Sequence, residues 1–382
     1  MPPANTDGAV YLDKAPEVDR FLSEISDVKE LALDTEGASF HRFLDRIYLL
    51  QISTRKESAI IDPLPIGSPA GLGRLLESKA VEVVFHDADY DLRLLHQDYG
   101  WHVTNIFDTR VASQLLGIKS FGLAALLEQF FDVKLDKKHQ RADWSMRPLT
   151  ADMLAYAAQD TRYLLQLKDH MKTELTRRGR MSWAEEEFAR LEGTRWEAEQ
   201  SMEGFLRLKG ARDLSRRELA VLREVANWRD TVAAQLDRAT FRVIGNEALF
   251  EIARRAPLNT SELSTIKGMP KGMIERAGGD IVAAIRRGME VPEAELPKFP
   301  KGQRWNKDRD FDDKVNRLKA VRDAAATRLE LDPGVLCSRE RLENIARSGA
   351  KSVGDLTAVP DLRKWQIGEM GEGFVRALAG GA

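Results

Sequence analysis

The chain can form no intramolecular disulfide, because its 382 residues contain a single cysteine, Cys337. Stability must then come from packed cores, and the shortage of thiols fits a reducing compartment. No apolar run approaches the roughly 18–20 residues that a membrane span needs, so no membrane is expected as a partner. The opening stretch MPPANTDGAVYLDK lacks the basic and apolar regions of a secretory signal, which makes the cytoplasm the expected location. Neither sign of charge dominates: the formal net charge is −2, which argues against coating nucleic acid through bulk positive charge. Three local basic tracts remain, KLDKKHQR (134–141), TRRGR (176–180) and KGQRWNKDR (301–309). Each reads most simply as a solvated surface or a helix end. Histidine is also scarce, and no cluster of His and Cys offers a zinc site.

What remains is ordinary globular material. With 43% hydrophobic and 31% charged residues, the chain has enough apolar content for two or three cored domains. ELALDTE, RIYLLQIS and ESAIIDP read as three short strands of an antiparallel meander. A helix (PAGLGRLLES), a strand (VEVVFH) and further helices (DYDLRLLHQDYG, DTRVASQLLG, LAALLEQFFDV) follow. That order predicts a mixed sheet covered by helices. After the loop KLDKKHQRADWSMRPL, a long helix is expected to start at Thr150, a natural N-cap, and to run through LAYAAQDTRYLLQLKDHMKTEL. From about residue 210 only helical patterns appear, and they repeat at an offset of 93 residues. Arg229-Asp230 falls on Arg322-Asp323, Leu249 on Leu342, Ile252-Ala253-Arg254 on Ile345-Ala346-Arg347, and Leu263 on Leu356. Most matched positions are apolar at helical spacing, so the repeat preserves a core. VPEAELPKFPKGQRWNK reads as the linker between the copies. The expected plan is an α/β domain over 1–205 and two small all-α domains over 210–292 and 308–382.

Within that plan, LALDTEG raises a chemical question. Asp34 and Glu36 share one strand face about 7 Å apart, where like charges repel unless a cation stands between them. HDADYDL places Asp87, Asp89 and Asp91 at a helix start, and YAAQD places Tyr156 and Asp160 on one helix face. FDTR carries Asp108, most simply a helix cap. Each feature alone is common. Together, a D-x-E on a strand, an Asp on a following helix and Y-x-x-x-D on a late helix supply four carboxylates. Those suffice for two Mg²⁺ ions about 3.5–4 Å apart, one activating water and the other stabilising a leaving 3′ oxygen. All the donors are hard oxygens, which favours Mg²⁺, with Mn²⁺ open. Tyr156 is a poor base at neutral pH, since a free phenol titrates near 10, so its expected role is to orient the attacking water.

These residues carry a resemblance. LALDTEG, HDADYDL and YAAQD resemble the three motifs of the DEDD 3′–5′ exonuclease superfamily. Ala155 occupies the position where the histidine branch holds its base, so the tyrosine branch fits. Within that branch, IIDPL, FDTRVASQLL, LDKKHQRADWSMRPL and YAAQDTRYLL resemble ribonuclease D, which has an RNase H-like catalytic fold. The paired C-terminal repeats resemble HRDC domains. The resemblance implies metal ligands Asp34, Glu36, Asp91 and Asp160, with Tyr156 orienting water. Asp91 is chosen because an apolar helix residue, Leu92, follows it; Asp87 is the rival, and Asp89 a possible helper. It also implies an exoribonuclease that trims 3′ ends of tRNA precursors and releases nucleoside 5′-monophosphates; a monomer is expected because no heptad or sustained apolar seam appears. Phe40 and Trp144 are expected to stack on bases, and Arg141 and Arg147 to meet phosphates. The first repeat has RATFRV where the family commonly has a proline; the second keeps Pro333. A DNA exonuclease of the same superfamily and a binding protein that has lost catalysis remain as alternatives.

Overall fold

The computed structural model describes residues 8–136, 138–197, 204–299 and 309–380. The tract 301–308 and part of the linker before it lie outside the described residues, as does Lys137 in the first basic tract. Six strands form one mixed sheet: β1 (Val10–Leu12), β2 (Glu30–Glu36), β3 (Leu49–Ser53), β4 (Ser58–Ile61), β5 (Glu82–Phe85) and β6 (Ile106–Asp108), in the order β1-β4-β3-β2-β5-β6. The expected meander is there, with β2–β3 and β3–β4 antiparallel, while β1, β5 and β6 join as parallel strands. The sequence reading missed β1 and β6, each only three residues long.

Helices cover both sheet faces, which is why consecutive β2 residues Leu31, Ala32 and Leu33 are all buried. Leu31 and Leu33 join one apolar cluster, with Leu50, Ile52, Val83 and Phe85, and Ala32 joins another with Val84 and Phe107. Ala32, Asp34 and Glu36 therefore share a face. Asp34 is paired with Gln51 and Glu36 with Leu49 across the β2–β3 ladder. The helix Ala151–Arg162 packs on β2, β3 and β4. It begins as expected: the Thr150 side chain accepts a hydrogen bond from the Met153 amide at 3.2 Å. The long helix expected there is instead two, broken at Tyr163, with the second spanning Leu164–Arg177. Thr161 Oγ1 lies 2.7 Å from Ser53 Oγ and ties the first of them to β3.

Two compact units divide the chain. One holds the described residues of 1–37, 47–196 and 306–382, and the other those of 38–46 and 197–305. The second helical copy thus shares a unit with the sheet, and its core is continuous with the cluster beneath Ala32, Val84 and Phe107. The first copy has a core of its own, and the loop 38–46 belongs with it. The repeat is regular. Four helices begin at 216, 240, 246 and 271 in the first copy and at 309, 333, 339 and 364 in the second, 93 residues later each time, while the short helix Thr260–Leu263 is answered by a 3-10 helix at Gly354–Ala358. A capping box starts the first copy: Ser215 Oγ accepts from the Glu218 amide, while Glu218 accepts from the Ser215 amide.

Candidate active site

The end of β2 and one face of the helix Ala151–Arg162 bring three carboxylates together. Ligand oxygens of Asp34, Glu36 and Asp160 all lie within 4.8 Å of one another. Asp91, on the helix Asp89–Tyr99, stands outside that trio and is buried. Its Oδ1 accepts hydrogen bonds from both the backbone amide (2.9 Å) and the hydroxyl (2.6 Å) of Thr35. Thr35 thus fastens the second motif to the first. The rivals of Asp91 are engaged elsewhere: the exposed Asp87 pairs with Arg110, and Asp89 accepts from Arg93 Nε at 2.8 Å. Asp108 does more than cap a helix. It accepts from Arg110 N and Val111 N, and also from Ala88 N at 2.7 Å, which braces the turn leading to Asp91.

Electrostatically the cluster is unfavourable without a cation. Burial, then the charge of Asp160, pushes Asp34 well above the usual carboxylate range. Glu36 is raised by burial and then by Asp34, Asp160 and Asp91. Burial and Asp34 raise Asp91, while burial and Asp91 push Asp160 up to about 7. Gln51 Nε2 donates to Glu36 at 3.4 Å and relieves a little of this. An all-oxygen donor set with mutual repulsion matches a divalent cation, so the residues present fit such an ion. Burial and the neighbouring carboxylates also raise the Tyr156 phenol, which therefore stays protonated.

The residues expected to touch RNA separate in the structure. Trp144 is 1% exposed, with its ring 6.0 Å from that of Tyr156. It packs behind the tyrosine and offers no face to a base, which corrects the stacking expectation. Arg147 is likewise a tether. Its guanidinium donates to both Asp62 oxygens (2.5 and 2.8 Å) and to the carbonyls of Trp144, Met146 and Tyr48. Those bonds fix the 143–148 loop to the sheet and leave no fork for a phosphate. Arg141 is exposed on the same loop. Phe40 is 43% exposed and lies in the unit of the first helical copy. Sequence reasoning missed Thr35, Gln51 and Asp62. Gln51 left a trace, a polar residue inside the apolar run LLQIS and opposite an acidic position; the Arg147–Asp62 pair spans 85 residues and left none.

A mixed sheet presenting clustered carboxylates, followed by two helical repeats, defines a 3′–5′ exonuclease with appended HRDC modules. Comparison with known proteins agrees. The family described as 3′-5′ exonuclease matches residues 10–176, and the HRDC domain matches 218–285 and 313–378. A ribonuclease D from Nitrobacter hamburgensis is 30% identical over 343 residues, covering 89% of each chain. A structure from Bifidobacterium adolescentis superposes with a TM-score of 0.83 at 26% identity, covering 99% of this chain and 98% of that one. Escherichia coli RNase D, an exoribonuclease involved in structured RNA processing, shares the fold with a TM-score of 0.74 at 23% identity, over 97% of this chain and 99% of that one. The chain belongs to the ribonuclease D family, and is a hydrolytic 3′–5′ exoribonuclease of the DEDD superfamily.

Proposed function

We propose that the enzyme trims the 3′ ends of tRNA precursors and other structured RNAs, acting as a cytoplasmic monomer and releasing nucleoside 5′-monophosphates. The observation that carries this reading is the approach of Asp34, Glu36 and Asp160 within 4.8 Å. These three, with Asp91 from the neighbouring helix, would hold two divalent ions, most simply Mg²⁺. When bound, such ions lower the pKa of water and stabilise charge on a departing oxygen.

The chain's own residues do the rest. Thr35 holds Asp91 in place through two hydrogen bonds, so that carboxylate is oriented before substrate arrives. Tyr156 stays neutral and donates a hydrogen bond to the incoming water, which fixes its line of attack on the terminal phosphorus. The water oxygen bonds to phosphorus, the P–O3′ bond breaks, and the shortened RNA keeps its 3′ oxygen. Trp144 backs Tyr156 and limits how far the phenol can swing.

The test is a time course on a 3′-extended tRNA precursor labelled at its 5′ end, beside a DNA oligonucleotide, with Mg²⁺ or EDTA. Wild type is expected to shorten the RNA stepwise from its 3′ end only with metal, and faster than the DNA. Asp160→Asn should lose about 10³-fold or more, and Tyr156→Phe about 10²-fold. DNA cut as fast as RNA would remove the substrate assignment. Binding without cutting would make the protein a binder.

A further inference from the structure

Five large apolar side chains stand in solvent in one part of the second unit. The loop 38–46, ASFHRFLDR, contributes Phe40, Phe43 and Leu44, which are 43%, 42% and 55% exposed. The turn after the helix Arg216–Gln235 contributes Leu236 and Phe241, 55% and 49% exposed. The two segments are pinned together. Ala239 N donates to the His41 carbonyl (3.1 Å), Phe43 N to Asp237 Oδ1 (3.3 Å) and Arg242 Nε to the Phe40 carbonyl (2.5 Å). Arg42 pairs with Asp237 at 3.5 Å. The Phe40 and Phe241 rings meet edge to face, with centroids 6.4 Å apart and planes at 76°.

Exposed apolar groups so concentrated mark an interaction surface. Folding does not call for Phe241. At the same place in the second copy the chain has Gly334, and the counterpart of Arg242 is Val335. The first copy thus carries an aromatic ring and a cation that the repeat does not need. Charge selects the occupant: four arginines (Arg42, Arg46, Arg238, Arg242) stand against two aspartates (Asp45, Asp237) along these segments, in a chain whose net charge is negative.

We propose that Phe40 and Phe241, flanked by Phe43 and these arginines, form a stacking platform for unpaired bases of the RNA substrate. The inference rests on RNA being that substrate. Every base has a π-face, so stacking grips a single strand without reading its sequence, and arginines supply phosphate contacts. The crossed rings suit this use: a base lying flat on one ring meets the edge of the other. Holding the loop by backbone hydrogen bonds fixes the platform in advance and lowers the ordering cost of binding.

The experiment measures binding in EDTA, where nothing is cut, by fluorescence anisotropy. It compares a single-stranded oligoadenylate with the same sugar–phosphate chain lacking bases. Phe40→Ala and Phe241→Ala are each expected to weaken oligoadenylate binding about tenfold and to leave the abasic chain unaffected. Phe241→Trp, which keeps the ring, should bind as tightly as wild type or more so, and it serves if the alanine variants fold poorly. Unchanged affinity, or equal losses on both ligands, would overturn the platform. So would loss of binding to phosphatidylserine vesicles instead of RNA, or a change in sedimentation mass, which would make the patch a membrane or self-association face. Wild type that neither binds nor cuts RNA defeats the exoribonuclease reading itself. RNA cut normally but bound without regard to Phe40 and Phe241 defeats only the platform.

Discussion

The two helical copies share the starts of four helices, buried positions such as Leu249/Leu342, Ile252/Ile345 and Leu263/Leu356, and the same Arg-Asp pair, yet they spend one turn differently. In the first copy Arg229 reaches Asn246 Oδ1 at 2.9 Å; in the second Arg322 reaches the Cys337 carbonyl at 3.2 Å. Each arginine ties its long helix to the entry of the helix that starts at 246 or 339, across the short one between. The turn that follows is where they part. In the second copy the Leu329 carbonyl accepts from Arg180 Nη2 at 2.6 Å, and Arg180 also holds the Leu115 carbonyl. Gly117, at φ 77°, lies so near the Glu330 carbonyl that a β-carbon there would collide with it. In the first copy the matching turn, 236–240, carries the loop 38–46, which leaves β2 just after Glu36. A shared fold therefore sets the scaffold, while a few turn residues decide whether a copy joins the catalytic core or stays with its own.

That distinction is most open to attack at the second copy's attachment. Trp365 stacks on Trp183 with centroids 4.8 Å apart and donates to Glu187 Oε1 at 3.0 Å; Glu187 also pairs with the buried Arg363. Trp365→Ala should destabilise the catalytic unit by about 3–5 kcal/mol, because a buried aromatic goes and Glu187 loses a partner. Thermal denaturation and the onset of activity loss should shift together. Loss of activity at an unchanged temperature would mean that the second copy is merely docked. A matched core pair tests the same point more evenly. Ile345→Ala and Ile252→Ala each empty an equivalent buried site, at a cost of about 2–5 kcal/mol. The first should lower the melting of the catalytic unit and the second that of the other unit. If both move a single transition equally, the cores are not independent.

How much of this was legible beforehand depended on the range of the signal. Asp34 and Glu36 were readable because strand period fixes which residues share a face, and Tyr156 and Asp160 because a helix returns after four. Local rules also found Thr150 as a cap and the repeat. β1 and β6 were not readable, since three residues cannot display a period. The break at Tyr163 has neither glycine nor proline to announce it. Trp144 and Arg147 misled for a different reason: an aromatic beside arginines in a polar loop looks like a nucleic-acid contact. Only the distant Asp62 and the packing behind Tyr156 show them to be scaffold.

The acidic cluster belongs to one unit only, and pH exposes that. A carboxylate whose folded pKa is raised favours the folded state below its unfolded value, and that benefit is lost as pH rises through the folded value. With Asp160 near 7 and Asp34 and Glu36 raised, the catalytic unit in EDTA should lose stability as pH rises from the unfolded carboxylate value, about 4, to about 7. Half-buried His86, lowered to about 4 by burial and Arg110, adds a slope of opposite sign between about pH 4 and 6.5 and so blunts the lower part of that decline. Asp160→Asn should flatten the decline and raise Tm in EDTA by a few degrees, while Mg²⁺ should stabilise wild type more than the variant. A variant with unchanged slope would remove Asp160 from the cluster's electrostatics.

The smallest effect comes from making the two turns alike. Thr240, first residue of the helix Thr240–Val243, occupies the place that Pro333 holds in the second copy. Proline suits the first helical position, where its fixed φ matches and its missing N–H leaves no intrahelical bond unmade. The preceding Ala239, at φ −52° and ψ 135°, already has the extended conformation that a following proline demands. Ala239 also donates its amide to His41, a bond that proline at 240 leaves alone. Thr240→Pro should therefore stabilise the unit of the first copy by about 0.4–1 kcal/mol, through a less free unfolded chain, with RNA binding retained. A loss of stability would show that this turn, despite its regular helix start, is held in a geometry the second copy does not share.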